Sequence, residues 1–201
     1  MSIDNIEKVL SQADEVDIRE GKEAYPNYHA LLRRIATHYQ LGFAQTVAAF
    51  VSLSPNNDYM GNLRSLVSLY TGIKDGTPVE VIGTSAYRHC LIRAHLYLTG
   101  EKDFLLETKG LKITNFYCNI LLPKDRRFVT IDGHMHNIWR GEPSPLKRSL
   151  CTPARYSEIV SDIDPKSRDY RFRQNLAMDL LKARNKDTVV AKLFTRILKS
   201  V

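Results

Sequence analysis

The 201 residues are 43% hydrophobic and 25% charged, a globular balance that excludes a disordered or fibrous chain. The net charge of +7 favours a polyanionic partner: nucleic acid, an anionic membrane surface or a phosphorylated ligand. Three cysteines, with no CxxC pair, exclude an iron–sulfur cluster held by four thiolates of this chain and point to a reducing compartment.

From the N-terminus, Ile3–Ala13 reads as a short amphipathic helix and the acidic stretch Asp14–Glu23 as a connector. Pro26 suits the first turn of a helix on which Tyr28, Leu31, Leu32, Ile35 and Tyr39 recur at helical spacing. Gly42 breaks that pattern. Ala44–Leu53 is apolar on every side, which predicts a helix buried all round. The turn cluster Ser54-Pro55-Asn56-Asn57-Asp58 ends it, and Asp58 is placed to cap a helix with a stripe of Met60, Leu63, Leu66, Val67 and Tyr70.

Asp75–Pro78 marks a loop, and Ser85–Leu98 a further helix. Phe104–Glu107 is a short helix that meets a tight turn at Lys109-Gly110, and Lys112–Leu122 is an apolar helix. Pro123–Arg127 reads as a basic loop and Phe128–Ile131 as an extended piece, after which Asp132 opens a helix carrying His134, Ile138 and Trp139. Pro143–Pro153 is irregular and basic. Helices are expected at Tyr156–Ile163, Tyr170–Ala183 and Asp187–Val201. With almost no alternating pattern, the fold class is all-α. No stretch is apolar for long enough to span a bilayer and the N-terminus has no apolar leader, so a cytoplasmic protein is expected.

Two elements in Glu107–Arg140 carry a recognisable chemistry. Gly110-Leu111-Lys112 closes a turn at the start of an apolar helix, and twenty positions after Lys112 comes Asp132 within Ile131-Asp132-Gly133-His134-Met135. This order resembles the helix-hairpin-helix DNA glycosylases, nearest the 8-oxoguanine DNA glycosylase branch. That superfamily has a Gly-x-Lys hairpin end and a Val-Asp-x-His element. Ser52–Asn57 is similar to that branch's Asn-rich loop, and Arg173-Gln174-Asn175-Leu176 to the segment that touches the flipped base. The hairpin departs from the usual Leu-Pro-Gly-x-Gly: Leu106-Glu107-Thr108-Lys109-Gly110 lacks the proline and the first glycine.

The resemblance implies a two-lobed helical bundle with a cleft between lobes. The whole of 1–201 would form one domain: 44–100 as one lobe, 101–140 as hairpin and catalytic segment, 1–43 and 141–201 as the second lobe. It also implies a DNA N-glycosylase; a monomer with no cofactor is expected, with no metal because His134 and His136 at i and i+2 point apart on a helix, and with no membrane because the apolar runs are short. A base in a duplex must be flipped out before side chains can reach it. Asn56 and Asn57 would fill the gap and pair with the orphaned base. As residues alone, they equally suit a backbone turn.

Cleaving the N-glycosidic bond builds positive charge on the sugar. A fixed carboxylate, Asp132, would stabilise that charge. The same residue suits a plain helix cap. Lys112 would attack C1′ as an amine if desolvation and the neighbouring Lys109 lowered its proton affinity, which adds a lyase step. Lys109, Gly110, His134, Arg126 and Arg127 would contact DNA, and Gln174 the base. Trp139, Tyr117 and Phe116 read as core. Two alternatives keep the scaffold: an enzyme that tailors a modified nucleobase, and a non-catalytic DNA-binding module.

Overall fold

The computed structural model describes residues 3–125, 128–142, 155, 156, 158 and 159. Every regular element among them is helical: α1 (Ile3–Leu10), α2 (Glu15–His38), α3 (Phe43–Leu53), α4 (Tyr59–Lys74), a 3-10 turn (Val79–Val81), α5 (Arg88–Leu98), α6 (Phe104–Glu107), α7 (Leu111–Leu121) and α8 (Gly133–Arg140). The chain forms two compact units, a larger one of Glu15–Thr130 and a smaller one of Met1–Asp14 with Ile131–Val201. The expected helices over Tyr170–Ala183 and Asp187–Val201 lie outside the described residues.

The larger unit is built around α3, against which α2, α4, α5 and α7 pack. The residues from Thr46 to Leu53 are all buried, as the unbroken apolar run requires. The two hydroxyls in that run are satisfied within the helix: Thr46 Oγ1 donates to Gly42 O at 3.0 Å and Ser52 Oγ to Ala48 O at 2.7 Å. Phe50, Leu66, Leu69, Leu91, Leu98, Phe104, Tyr117 and Ile120 complete the core. Each large apolar side chain so removed from water contributes about 1.5–3 kcal/mol.

Three sequence expectations fail here for physical reasons. Asp14–Glu23 is no connector, because α2 starts at Glu15 and continues through Pro26. Glu15 and Asp17 lie in its first turn, where carboxylates are favoured by the helix dipole. Pro26 therefore sits in the helix interior, and the helix tolerates the missing N–H there. The α4 stripe is rotated: Met60 and Val67 are exposed, and the buried face is Gly61, Asn62, Ser65, Leu66, Leu69 and Gly72. Small residues let α4 approach closely, since a Cβ on Gly72 would come within 2.4 Å of Ile82 Cδ1. Finally, α5 begins at Arg88 rather than Ser85, because the Ser85 hydroxyl is bonded to Asn57 and the helix start passes to Tyr87.

The Asn- and Ser-rich segment after α3 has a structural reason. The last carbonyls of a helix lack intrahelical partners, and here they are buried. Asn62 Nδ2 donates to Phe50 O at 3.1 Å, Ser54 Oγ to Val51 O at 2.8 Å and Asn57 Nδ2 to Leu53 O at 3.4 Å. α2 ends instead in a Schellman turn: Leu41 N bonds Ala36 O, Gln40 N bonds Thr37 O, and Gln40 is left-handed at φ 56°.

In the smaller unit α1 packs on α8. Ile6, Ile131, His136, Trp139, Tyr156 and Ile159 are buried. α8 closes at Gly141, whose φ of 73° is left-handed. A Cβ at Gly141 would stand 2.8 Å from Asn5 Nδ2, the atom that donates to Trp139 O at 3.0 Å.

Candidate functional site

α7 begins after the connector Lys109-Gly110. Asp103 caps the four-residue α6 by accepting from Leu105 N and Leu106 N, and Lys102 pairs with Glu107 at 3.0 Å. Gly110 has φ −82° and ψ 122°, a conformation open to any residue, and a Cβ there would meet only Ile113 Cγ2 at 3.5 Å. The turn thus dispenses with the left-handed glycine that a tight hairpin would require. Lys109, Gly110 and Lys112 are all exposed. The desolvation expected around Lys112 is not provided: the apolar face of α7 turns the other way, toward the core.

Two asparagines on that helix went unread in the sequence. Asn115 Oδ1 accepts from Val129 N at 3.2 Å, and Asn119 Nδ2 donates to Thr130 Oγ1 at 3.0 Å. One turn apart and buried, they hold the extended segment that leads to Asp132. Along that segment the chain follows α7 from Asn115 toward Asn119, away from the turn that bears Lys112. The available signal was an Asn pair at i and i+4 in an otherwise apolar helix.

Asp132 caps α8, its Oδ1 accepting from Met135 N at 2.9 Å. Its Oδ2 makes no hydrogen bond among the described residues. Ile131 before it is buried, which fixes the entry to the helix. His134 is exposed, whereas His136 is 1% exposed and stacks near Trp139 at 6.2 Å. Burial, then Arg155 and Arg140, hold the His136 imidazole below the usual range. Trp139 and Tyr117 are buried, and Phe116 packs on the core as expected. Lys112 belongs to the larger unit and Asp132 to the smaller.

The two loop asparagines differ. Asn57 is tied down: Ser85 Oγ donates to its Oδ1 at 2.9 Å, and its Nδ2 reaches Leu53 O and Ser65 Oγ. Asn56 is exposed and left-handed at φ 57°. It makes no hydrogen bond among the described residues, so its side chain is available to a ligand.

An aromatic cluster in the larger unit links this loop to α7. Tyr59, the first residue of α4, lies 5.2 Å from Tyr28, which lies 6.3 Å from Phe116, four residues after Lys112. Tyr25 joins at 6.2 Å from Phe116. Burial and the neighbouring Tyr59 and Tyr25 push the Tyr28 phenol up from its ordinary value. Sequence reading placed Tyr28 only on a core stripe, since its partners are distant in the chain.

Arg126, Arg127 and Gln174 lie outside the described residues. Among the described residues no three His, Cys, Asp or Glu side chains gather as a metal set, and no helix is long and apolar enough to cross a membrane. No curated protein and no solved structure matches the chain. A family model does match it over residues 1–163, a span that holds every candidate residue except Gln174, and the chain belongs to that family, described as "Family of unknown function (DUF7178)".

Proposed function

We propose that this protein is a DNA N-glycosylase that releases a damaged or modified base. The observation that carries the reading is the fixed carboxylate of Asp132, held through one oxygen by the start of α8 while the other makes no hydrogen bond among the described residues. A pre-oriented anion of this kind stabilises the oxocarbenium-like sugar without reorganising. In the proposed reaction the C1′–N bond breaks, its electron pair leaves with the base, and the base is protonated. Water, deprotonated with the help of Asp132, forms the new C1′–O bond.

The exposure of Lys112 favours this hydrolytic route over direct attack by the amine, because a nucleophilic lysine calls for a desolvated pocket and none encloses this side chain among the described residues. Lys112 then serves as a cation near the DNA, with Lys109, Gly110 and His134 as further contacts. If Lys112 acts as the nucleophile instead, its nitrogen joins C1′ as the base departs with the bonding pair, the C1′–O4′ bond then opens with O4′ taking up a proton to give the Schiff base, and loss of a C2′ proton expels the 3′ phosphate. The two-lobed glycosylase architecture is part of this proposal.

The resemblance of Gly110-Leu111-Lys112 and Ile131–Met135 supports the reading, as do the exposed Asn56 and the Tyr28–Tyr59 aromatics, a surface suited to an unstacked base. The test is a panel of oligonucleotides carrying different damaged or modified bases, with released bases read by mass spectrometry and covalent species trapped with borohydride. Release without trapping identifies the hydrolytic enzyme, and trapping that Lys112→Gln abolishes identifies the lyase. Transfer of a group to the base, with no release, would replace excision by base tailoring. Binding with no chemistry on any base would leave a DNA-binding module.

A further inference from the structure

The second half of α2 forms a shallow groove lined by His29, Ala30, Arg33, Arg34, Thr37 and His38. These positions are two adjacent rows at i, i+4, i+8: His29, Arg33 and Thr37, and Ala30, Arg34 and His38, with the two arginines in the middle. Arg33, Arg34 and His38 are exposed and His29 half-buried. His29 Nδ1 lies 2.9 Å from the Ile120 carbonyl, which can only accept, so Nδ1 carries the proton and Nε2 is the nitrogen left for a ligand. The Arg33 guanidinium lies over the Phe43 ring, 5.0 Å from its centroid, which sets the side chain in place.

Among the described residues no ion pair neutralises this face. No aspartate or glutamate occurs between Glu23 and Asp58. α3 and α7, the helices on which α2 packs, contain no carboxylate, and the charged residue they do contain is Lys112. Basic side chains one helical turn apart stand about 6 Å apart along the axis, close to the spacing of successive phosphates in a strand.

We infer that this face of α2 grips the phosphodiester backbone of a nucleic acid, through Arg33 and Arg34. One guanidinium held over Phe43 and a second, exposed one beside imidazoles suit phosphate oxygens, and the open groove suits a backbone better than an enclosed small molecule. The choice of nucleic acid as the polyanion rests on the proposed function.

The experiment is a salt titration of binding to a fluorescent DNA duplex, with the full chain and its variants. Arg33→Ala/Arg34→Ala weakens binding about tenfold or more and flattens the slope of log K against log salt by about 2, near 0.9 per lost phosphate contact. Arg34→Glu alone must move both in the same direction. It is the decisive variant if loss of the Arg33–Phe43 contact unfolds the double mutant, since Arg34 makes no hydrogen bond or ion pair among the described residues. Unchanged affinity and slope in folded Arg34→Glu overturn the inference. So does retention of DNA binding with loss of binding to phosphatidylserine vesicles, which would make the face a membrane contact. Lys112→Gln and Asp132→Asn separate the two readings. A slope that responds to Arg34 while no base is released leaves the α2 surface standing and removes the glycosylase, and release with an unresponsive slope does the reverse.

Discussion

Asn56 and Asn57 are neighbours with opposite duties, and substitution separates them. Asn57→Ala removes the side-chain donor to the Leu53 carbonyl and one acceptor of the Ser85 hydroxyl, which keeps Gly61 O and Ser65 Oγ, and should lower stability by about 1 kcal/mol in denaturant unfolding. Asn56→Gly keeps the left-handed backbone at no steric cost and removes only the side chain. It should leave the unfolding midpoint unchanged or raised while weakening capture of an extrahelical base, measured with a 2-aminopurine duplex. His136 gives a pH signature. Its proton affinity is lowered in the fold, so acidification through the ordinary histidine range lets the unfolded chain take a proton that the folded chain refuses. This contribution to stability is whole above about pH 6.5 and is lost as pH falls toward the depressed value. The drop in unfolding midpoint between pH 7.5 and 5.5 should shrink in His136→Gln. At this scale the caps were legible, because Asp58 and Asp132 bond N–H groups three residues ahead, Gly61 and Met135. The fixed state of Asn57 was not, because its partner Ser85 is 28 positions away.

Among the elements, α2 holds the clearest opportunities for stabilisation. Gln40 occupies the left-handed position of its Schellman turn, where glycine fits best, so Gln40→Gly should raise stability by about 1 kcal/mol. Exposed Pro26 breaks the hydrogen-bond ladder of the same helix, and Pro26→Ala should raise the melting temperature, the gain being up to about 3 kcal/mol. A failure of either substitution to stabilise would contradict this account of α2. Helix existence was readable wherever apolar spacing was strong, as in α3 and α7. It was misread at 14–23, where charged residues suggested a loop and proline a helix start. The face of α4 was misread because apolar size was taken for burial. Its true buried side is set by Gly61, Ser65 and Gly72, which admit close packing, and by Asn62, which serves a carbonyl of another helix.

At the scale of the whole molecule, an all-helical chain was legible from periodicity, and its division into 15–130 and 1–14 with 131–201 was not, because the smaller unit joins the two ends of the sequence. The candidate chemistry is distributed the same way, with Asn56, Tyr59 and Lys112 in the larger unit and Asp132 in the smaller. Motif spacing announced Lys112 and Asp132 but said nothing of the Asn115–Asn119 clamp on the segment between them. The central claim is that the Asp132 carboxylate drives base release, and single-turnover release from a substrate duplex by wild type and Asp132→Asn tests it most directly. The account predicts a rate lower by roughly 10²–10³-fold in the variant at undiminished DNA binding. An equal rate in the variant, or no release by wild type from any modified base, would contradict it.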